Sequence, residues 1–75
     1  HNDMKAFQML HWILTLDPDS KAELRERGLL YEALGNTDRA AEDLERYLEG
    51  SPGAETERII GSKVEKLKKK STLLH

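Results

Sequence analysis

Apolar residues recur along the chain at the three- and four-residue spacing that places them on one side of an α-helix. The first stretch, from Met4 to Leu16, is apolar almost all round, so we expect a helix that is buried on more than one face. A second helix is expected to begin at Ser20, because Ser20 and Glu23 have the S-x-x-E spacing of a capping box. Its packing stripe consists of Leu24, Gly28, Tyr31 and Leu34.

Glycine- and proline-containing segments divide the rest of the chain into two more helices. Gly35 can take the left-handed conformation that ends a helix, and Asn36 or Thr37 can cap the next one. That third helix is expected to run through Ala40, Leu44 and Tyr47 to about Glu49, before "GSPG" at 50–53 interrupts it. The last helix is expected to fray among its lysines, and its apolar residues are Ile59, Ile60, Val64 and Leu67.

Two of these segments align without gaps at an offset of 34 residues. "AFQMLHWILTLDPDS" begins at Ala6, and "AAEDLERYLEGSPGA" begins at Ala40. Matching positions carry alanine, leucine and proline, and each segment ends in a turn. A period of 34 is typical of arrays of paired helices.

The residues of these segments resemble the tetratricopeptide repeat family, whose pattern is W-x2-L-G-x2-Y, then A-x3-F, then P. This chain departs from the pattern at Arg27, where the family has leucine. The matching residues are Leu24, Gly28, Tyr31, Ala40, Leu44 and Pro52, with Tyr47 on the same packing stripe. The resemblance implies an all-α antiparallel array of about four helices. It also implies a protein–protein interaction or scaffolding module without catalytic activity.

The resemblance divides the chain into units. Residues 1–17 would be the second helix of a truncated repeat, residues 21–54 one complete repeat, residues 55–70 a capping helix and residues 71–75 a tail. A narrower resemblance is carried by "RERGLL" and "DLERYL": residues 23–54 are similar to the C-terminal repeats of SirB-type transglutaminase-like proteins. It implies an alternative function, as a regulatory or substrate-presenting module of such an enzyme.

Composition fits one small soluble domain. The 75 residues include no cysteine, which excludes disulfides and cysteine-based metal sites. No apolar run approaches the roughly 18 residues of a membrane span, and no signal peptide is visible, so we expect a cytoplasmic protein. Because the chain begins with His1 rather than Met, we expect it to be a fragment.

Charge is unevenly distributed along the chain. Residues 1–62 carry seven Lys/Arg and thirteen Asp/Glu, a net charge of −6, whereas residues 63–75 carry five Lys and one Glu, a net charge of +4. The lysine-rich tail could contact nucleic acid or an anionic membrane weakly. It lacks interleaved aromatic residues, and cations are also favourable at a helix C-terminus, so nucleic-acid binding is the less favoured interpretation.

Candidate chemistry is sparse. His11 is the only histidine away from the chain ends, and no carboxylate lies three or four residues from it, so neither a catalytic base nor a metal site is expected. Asp17 and Asp19 flank Pro18 and are interpreted as turn and capping residues. The segment "GNTDRAAED" lacks the residue order of a calcium loop. We therefore predict no cofactor and no small-molecule substrate.

Two candidate partner-binding surfaces remain. The side of the first helix around Met9, Trp12 and Leu16 is expected to meet another protein surface, including a second copy of this chain. The resemblance implies a second surface, the inner surface of the array, where chaperone-binding repeats hold a carboxylate with lysine, arginine and asparagine. The corresponding positions here are Arg25, Leu29 and Ile60. Since the asparagines are missing, we do not expect a chaperone C-terminus as the ligand.

Arg27 occupies a position where the pattern calls for an apolar residue. A buried, unpaired cation costs several kcal/mol, so we expect its stem to lie along its own helix and its head to pair with Glu23 or with an acid of residues 38–45. On this interpretation Arg27 is structural. The alternative is that Arg25 and Arg27 form a shared anion site.

Overall fold

A computed structural model describes the backbone of residues 3–74 and the side chains of residues 3–71. The described residues form an array of α-helices without strands: α1 (Asp3–Leu16), α2 (Lys21–Ala33), α3 (Thr37–Leu48) and α4 (Ala54–Leu74). Each helix packs on the next in chain order, α1 on α2, α2 on α3 and α3 on α4. The all-α fold predicted from the pattern is confirmed. The division of the chain into repeat units stays a prediction.

The turn between α2 and α3 makes the two helices antiparallel. Gly35 has a φ of +84°, a conformation that costs other residues about 1 kcal/mol or more. Its backbone N–H donates to the carbonyl of Glu32 at 3.0 Å, and the N–H of Asn36 donates to the carbonyl of Tyr31 at 2.9 Å. This pair of bonds is the Schellman arrangement, which satisfies carbonyls at the end of α2.

The helix starts differ in how they are capped. Asn36, rather than Thr37, caps α3, because its side chain accepts a hydrogen bond from the backbone N–H of Arg39 at 3.3 Å. Ser20 occupies the predicted N-cap position of α2, but its side chain makes no bond to the helix backbone. Its hydroxyl instead donates to the carboxylate of Glu23. The predicted capping box therefore lies at the observed start of α2, but the predicted hydrogen bond from the helix backbone to the Ser20 side chain does not form.

The core lies between α2, α3 and α4. Leu24 of α2 and Leu44 of α3 are its largest fully buried side chains. Gly28 allows the close approach of α2 to α3, because a Cβ atom built on it would lie 2.8 Å from Cγ of Leu44. The buried cluster centred on α3 and α4 consists of Ala40, Ala41, Leu44, Ile60, Val64 and Leu67.

Helix α4 is longer than predicted, and the expected fraying among the lysines is wrong. The helix continues to Leu74, so the proposed tail at residues 71–75 is helical over its described part. Leu67 is buried against α3, Lys68 pairs with Glu45 at 2.6 Å, and Ser71 donates to Asp38. These contacts attach the lysine-rich stretch to α3.

Candidate functional site

One side of α1 is apolar and exposed. Leu10 and Leu14 are buried beside α2, whereas the exposed fractions are 62% for Met9, 64% for Trp12 and 72% for Leu16. Among the described residues no other helix packs against α1. The expectation that this helix is buried on more than one face is therefore not met within residues 3–71. The three residues predicted to bind a partner do share one exposed side.

Arg27 forms the strongest polar contact between α2 and α3. Its Nε lies 2.7 Å from Oδ2 of Asp43 and its Nη2 lies 2.8 Å from Oδ1, the bidentate geometry of a strong charge-assisted pair. The side chains are only 17% and 9% exposed. The hydrogen bond with Asp43 raises the pKa of Arg27 above its ordinary value, despite the opposing effect of burial. Arg27 therefore stays charged at any neutral or mildly alkaline pH.

The predicted pairing of Arg27 with an acid of residues 38–45 is confirmed, and the partner is Asp43. Glu23, the other candidate, bonds to Ser20 instead. Because two guanidinium nitrogens bind Asp43, Arg27 is poorly placed to join Arg25 in a shared anion site. Arg25 itself is exposed on α2.

A contact with α1 completes the surroundings of Arg27, and it was not predicted. Nη1 of Arg27 lies 3.3 Å from Nδ1 of His11, and the guanidinium carbon lies 5.7 Å from the centre of the Tyr31 ring. Phe7 of α1 meets Tyr31 edge-to-face, with 5.0 Å between ring centres. Arg27 thus connects α1, α2 and α3. The local spacing around His11 could not reveal this contact, because Arg27 lies on another helix.

The three positions that correspond to the carboxylate-binding surface differ in their exposure. Ile60 is buried in the core, and half-buried Leu29 packs against the same cluster. Arg25 is the only polar side chain among the three. The exclusion of a chaperone C-terminus as the ligand stays a prediction.

The acidic turn residues make contacts that hold the turn between α1 and α2. The backbone N–H of Ser20 donates to the carbonyl of Asp17 at 3.1 Å, which closes the turn. Asp19 pairs with Arg46 of α3 at 3.2 Å. Within residues 3–71, no three His, Asp or Glu side chains converge on a point where a metal ion could bind. His1 and His75 lie outside the described residues.

Two lysines of the C-terminal cluster, Lys63 and Lys68, form ion pairs within the protein. Lys63 bonds to Glu32 of α2 at 2.9 Å, and Lys68 bonds to Glu45 of α3. These pairs attach α4 to its neighbours and reduce the positive charge available to a polyanion. No helix in the described part of the chain is long and apolar enough to cross a membrane.

Comparisons with known proteins place the chain among helical repeat proteins. A family model described as "Tetratricopeptide repeat" matches residues 1–65. The chain is 30% identical over 70 residues to UPF0162 protein BU173 of Buchnera aphidicola subsp. Acyrthosiphon pisum (strain APS). The alignment covers 93% of this chain but only 26% of that relative. No solved structure matches the chain.

Proposed function

Because the chain belongs to the tetratricopeptide repeat family, we propose that it is a protein–protein interaction module that binds through the exposed side of α1. The observation that carries this proposal is the exposure of Met9, Trp12 and Leu16 on consecutive turns of one helix. Contiguous exposed apolar surface of this kind marks interaction sites in soluble proteins. Tryptophan and methionine are also enriched at the centres of protein interfaces.

The proposal includes no reaction catalysed by the chain itself. A catalytic histidine needs a nucleophile that it can activate. The imidazole of His11 instead faces the guanidinium of Arg27 through Nδ1 and lies along the ring of Phe7. Its contacts therefore fit a role in packing α1 against α2.

A second candidate function follows from the length of the relative. The aligned region is about a quarter of that protein, so the same surface of α1 could bind a neighbouring domain within a longer chain. In that case the module would regulate the neighbouring domain or present a substrate to it. The resemblance to transglutaminase-like proteins names one such neighbour and stays a prediction.

The experiment compares partner capture by the wild-type chain with capture by Met9→Gln/Leu16→Gln, which makes the α1 surface polar without touching the core. Ile59→Gln is the matched control, because Ile59 is an exposed apolar residue on α4. Each captured protein is then purified and titrated against the chain while the fluorescence of Trp12 is recorded. The proposal expects binding to survive in the control and to be lost in the α1 variant. Equal binding by all three proteins would place the interface elsewhere.

A further inference from the structure

A groove lies between α4 and the turn that joins α2 to α3. Its volume of about 520 Å³ is within the range of sites that hold small groups in proteins. Arg25, Leu29 and Ile60, the counterparts of the carboxylate-binding positions, do not line it. Four Lys or Arg side chains and one glutamate do, so the lining carries a net charge of +3. The groove is therefore a basic surface on a chain whose net charge is −2.

Two of the four cations are already paired. Lys63 bonds to both oxygens of the glutamate in the groove, at 2.9 and 3.2 Å, and Arg58 bonds to a glutamate of its own helix. Lys66 and Lys70 form no ion pair with any other described residue. Because they are four residues apart on α4, their side chains lie on the same side of the helix. Their two charges are available to a ligand.

The helix dipole does not explain Lys66 and Lys70. A cation is favoured by the dipole within the last turn of a helix, but α4 continues to Leu74 and its last turn carries no basic residue. Both side chains are exposed, so they add little to the core. Like charges one turn apart also destabilise a helix slightly. A ligand outside the fold accounts for their placement better than the stability of α4 does.

Thr37 brings a hydroxyl to the same groove. Its side chain lines the groove although the residue is only 8% exposed. Asn36 caps α3 in its place, and the Thr37 hydroxyl forms no hydrogen bond with another described residue. The hydroxyl is still accessible from the groove, because every fully buried side-chain oxygen and nitrogen in the described part of the chain has a partner. Its hydrogen-bonding capacity is therefore unused and directed to the groove.

The position of Thr37 in its helix also favours an anion. Thr37 is the first residue of α3, where backbone N–H groups have no acceptor within the helix and the dipole is positive. The next residue, Asp38, accepts a hydrogen bond from Ser71 and lines a separate groove with Glu42 and Glu45. These acids are thus directed away from the basic groove.

A phosphoryl group matches this set of donors better than a carboxylate does. It carries up to two negative charges and three strong acceptor oxygens, one for each of the Thr37 hydroxyl and the Lys66 and Lys70 ammonium groups. A carboxylate has two oxygens and a single charge. Lysine binds phosphate as a point charge and does not need the fork geometry of arginine.

A peptide matches the rest of the groove better than a nucleic acid does. Ile59, which is 49% exposed, lines the groove beside the cations and can pack against an apolar residue next to the phosphate. No aromatic side chain lines the groove, so a base would have no surface on which to stack. Residues 1–62 carry a net charge of −6 and would repel a long polyanion.

We propose that this groove binds a phosphorylated serine or threonine of a partner protein. Lys66, Lys70 and the hydroxyl of Thr37 donate to the phosphate, and Ile59 packs against an apolar neighbour of the phosphorylated residue. The site is separate from the exposed side of α1, because α1 does not pack against α4 among the described residues. The groove thus adds a second contact that phosphorylation of the partner controls.

Three short peptides test the choice of ligand. One has leucine on both sides of a central phosphoserine, and the other two have serine or glutamate in place of the phosphoserine. Amide spectra of the ¹⁵N-labelled chain should show saturable shifts at Thr37, Ser62 and Lys66 with the phosphopeptide. We expect at least about tenfold weaker binding with glutamate and no saturable shift with serine. Equal affinity for the glutamate and phosphoserine peptides would overturn the phosphate site.

Charge variants test whether these particular lysines hold the phosphate. Lys66→Gln/Lys70→Gln should weaken phosphopeptide binding by at least about tenfold. The matched control, Lys5→Gln/Lys69→Gln, removes the same charge from exposed positions that do not line the groove, and should stay within about twofold of the wild type. The same loss in both variants would mean that net charge alone attracts the peptide, and the proposed site would be wrong.

The hydroxyl of Thr37 is tested without a change of charge. Thr37→Val keeps the branched shape and removes the hydroxyl, whereas Thr37→Ser keeps it. We expect about tenfold weaker phosphopeptide binding for Thr37→Val and near wild-type binding for Thr37→Ser. Thermal unfolding should show similar melting of both variants, since the hydroxyl has no partner in the described fold. Wild-type affinity in Thr37→Val would remove Thr37 from the site and contradict the proposal.

Two further probes separate the possible sources of the phosphate. Inorganic phosphate should shift the same amides but bind more weakly than the phosphopeptide, which also contacts Ile59. Equal binding of the two, or tighter binding of a single-stranded oligouridylate through Lys66 and Lys70, would overturn the assignment to a phosphorylated protein. Met9→Gln/Leu16→Gln should bind the phosphopeptide as the wild type does. Failure at the groove is thereby distinguished from failure of the α1 interaction.

Discussion

Arg27 and Asp43 are joined by two parallel hydrogen bonds of 2.7 and 2.8 Å that connect α2 to α3. The pair replaces an apolar contact at a largely buried position. A cation is tolerated there because the carboxylate matches the guanidinium in charge and geometry. The pair fixes how the two helices meet, while Gly28, the next residue, sets how closely they approach.

Removal of the arginine should destabilise the fold. Arg27→Ala leaves the carboxylate of Asp43 largely buried without its partner, at a cost of about 2 kcal/mol. For a chain of this size, that loss lowers the melting temperature by roughly 10 °C. Arg25→Ala, on the exposed side of the same helix, should stay within about 0.5 kcal/mol of the wild type. Thermal unfolding followed by circular dichroism measures both, and equal melting of the two variants would contradict a structural role for Arg27.

Replacement of both partners should be far less costly than replacement of one. Asp43→Met alone leaves Arg27 unpaired and should be as damaging as Arg27→Ala. The double variant Arg27→Leu/Asp43→Met replaces the ion pair by an apolar contact and should lie within about 1 kcal/mol of the wild type. Urea denaturation of the wild type, both single variants and the double variant gives the coupling energy. Additive losses would show that the pair does not act as a unit.

Gly28 and Gly61 should respond to alanine with opposite signs. A Cβ at Gly28 would lie 2.8 and 2.9 Å from two carbons of Leu44, so Gly28→Ala should cost about 1 kcal/mol despite the higher helix propensity of alanine. A Cβ at Gly61 of α4 would meet nothing within 4 Å, so Gly61→Ala should stabilise the chain by about 0.5–1 kcal/mol. Urea midpoints measure both effects. A stabilising Gly28→Ala would contradict the close approach of α2 and α3.

The two helix caps should also differ. Asn36 accepts a hydrogen bond from the backbone of α3, so Asn36→Ala should cost about 1 kcal/mol. Ser20 makes no such bond to α2, so Ser20→Ala should cost less than about 0.5 kcal/mol. Chemical denaturation compares the two variants directly. A larger loss at Ser20 would indicate a capping bond to the α2 backbone in solution.

The sequence predicted most of the architecture because periodicity and turn residues act locally. The packing stripes and turn residues anticipated the four helices, and the acids proposed as partners of Arg27 included Asp43. The contacts that were missed depend on how separate helices meet. His11 faces Arg27 across the α1–α2 contact, and Ser71 and Lys68 hold the end of α4 to α3. No local pattern records such pairs, because their members lie 16 to 33 residues apart in the chain.

The exposed residues of α1 could be named from the sequence because that helix has more apolar residues than one neighbour can cover. The sequence could not show which side of α1 packs against α2. That required the structure, in which Leu10 and Leu14 are buried beside α2 while Met9, Trp12 and Leu16 are exposed.

The most direct test is the solvent exposure of the two methionine methyl groups when a captured partner is bound. The chain contains only Met4 and Met9, so ¹³C-methyl labelling gives two assignable signals, free of those from an unlabelled partner. Met9 lies on the proposed interface. Met4 lies at the start of α1, more than one helical turn from Met9. Relaxation by a soluble paramagnetic agent should fall sharply for Met9 on binding and much less for Met4. A Met9 methyl that stays as accessible in the complex as in the free chain would contradict an interface on α1.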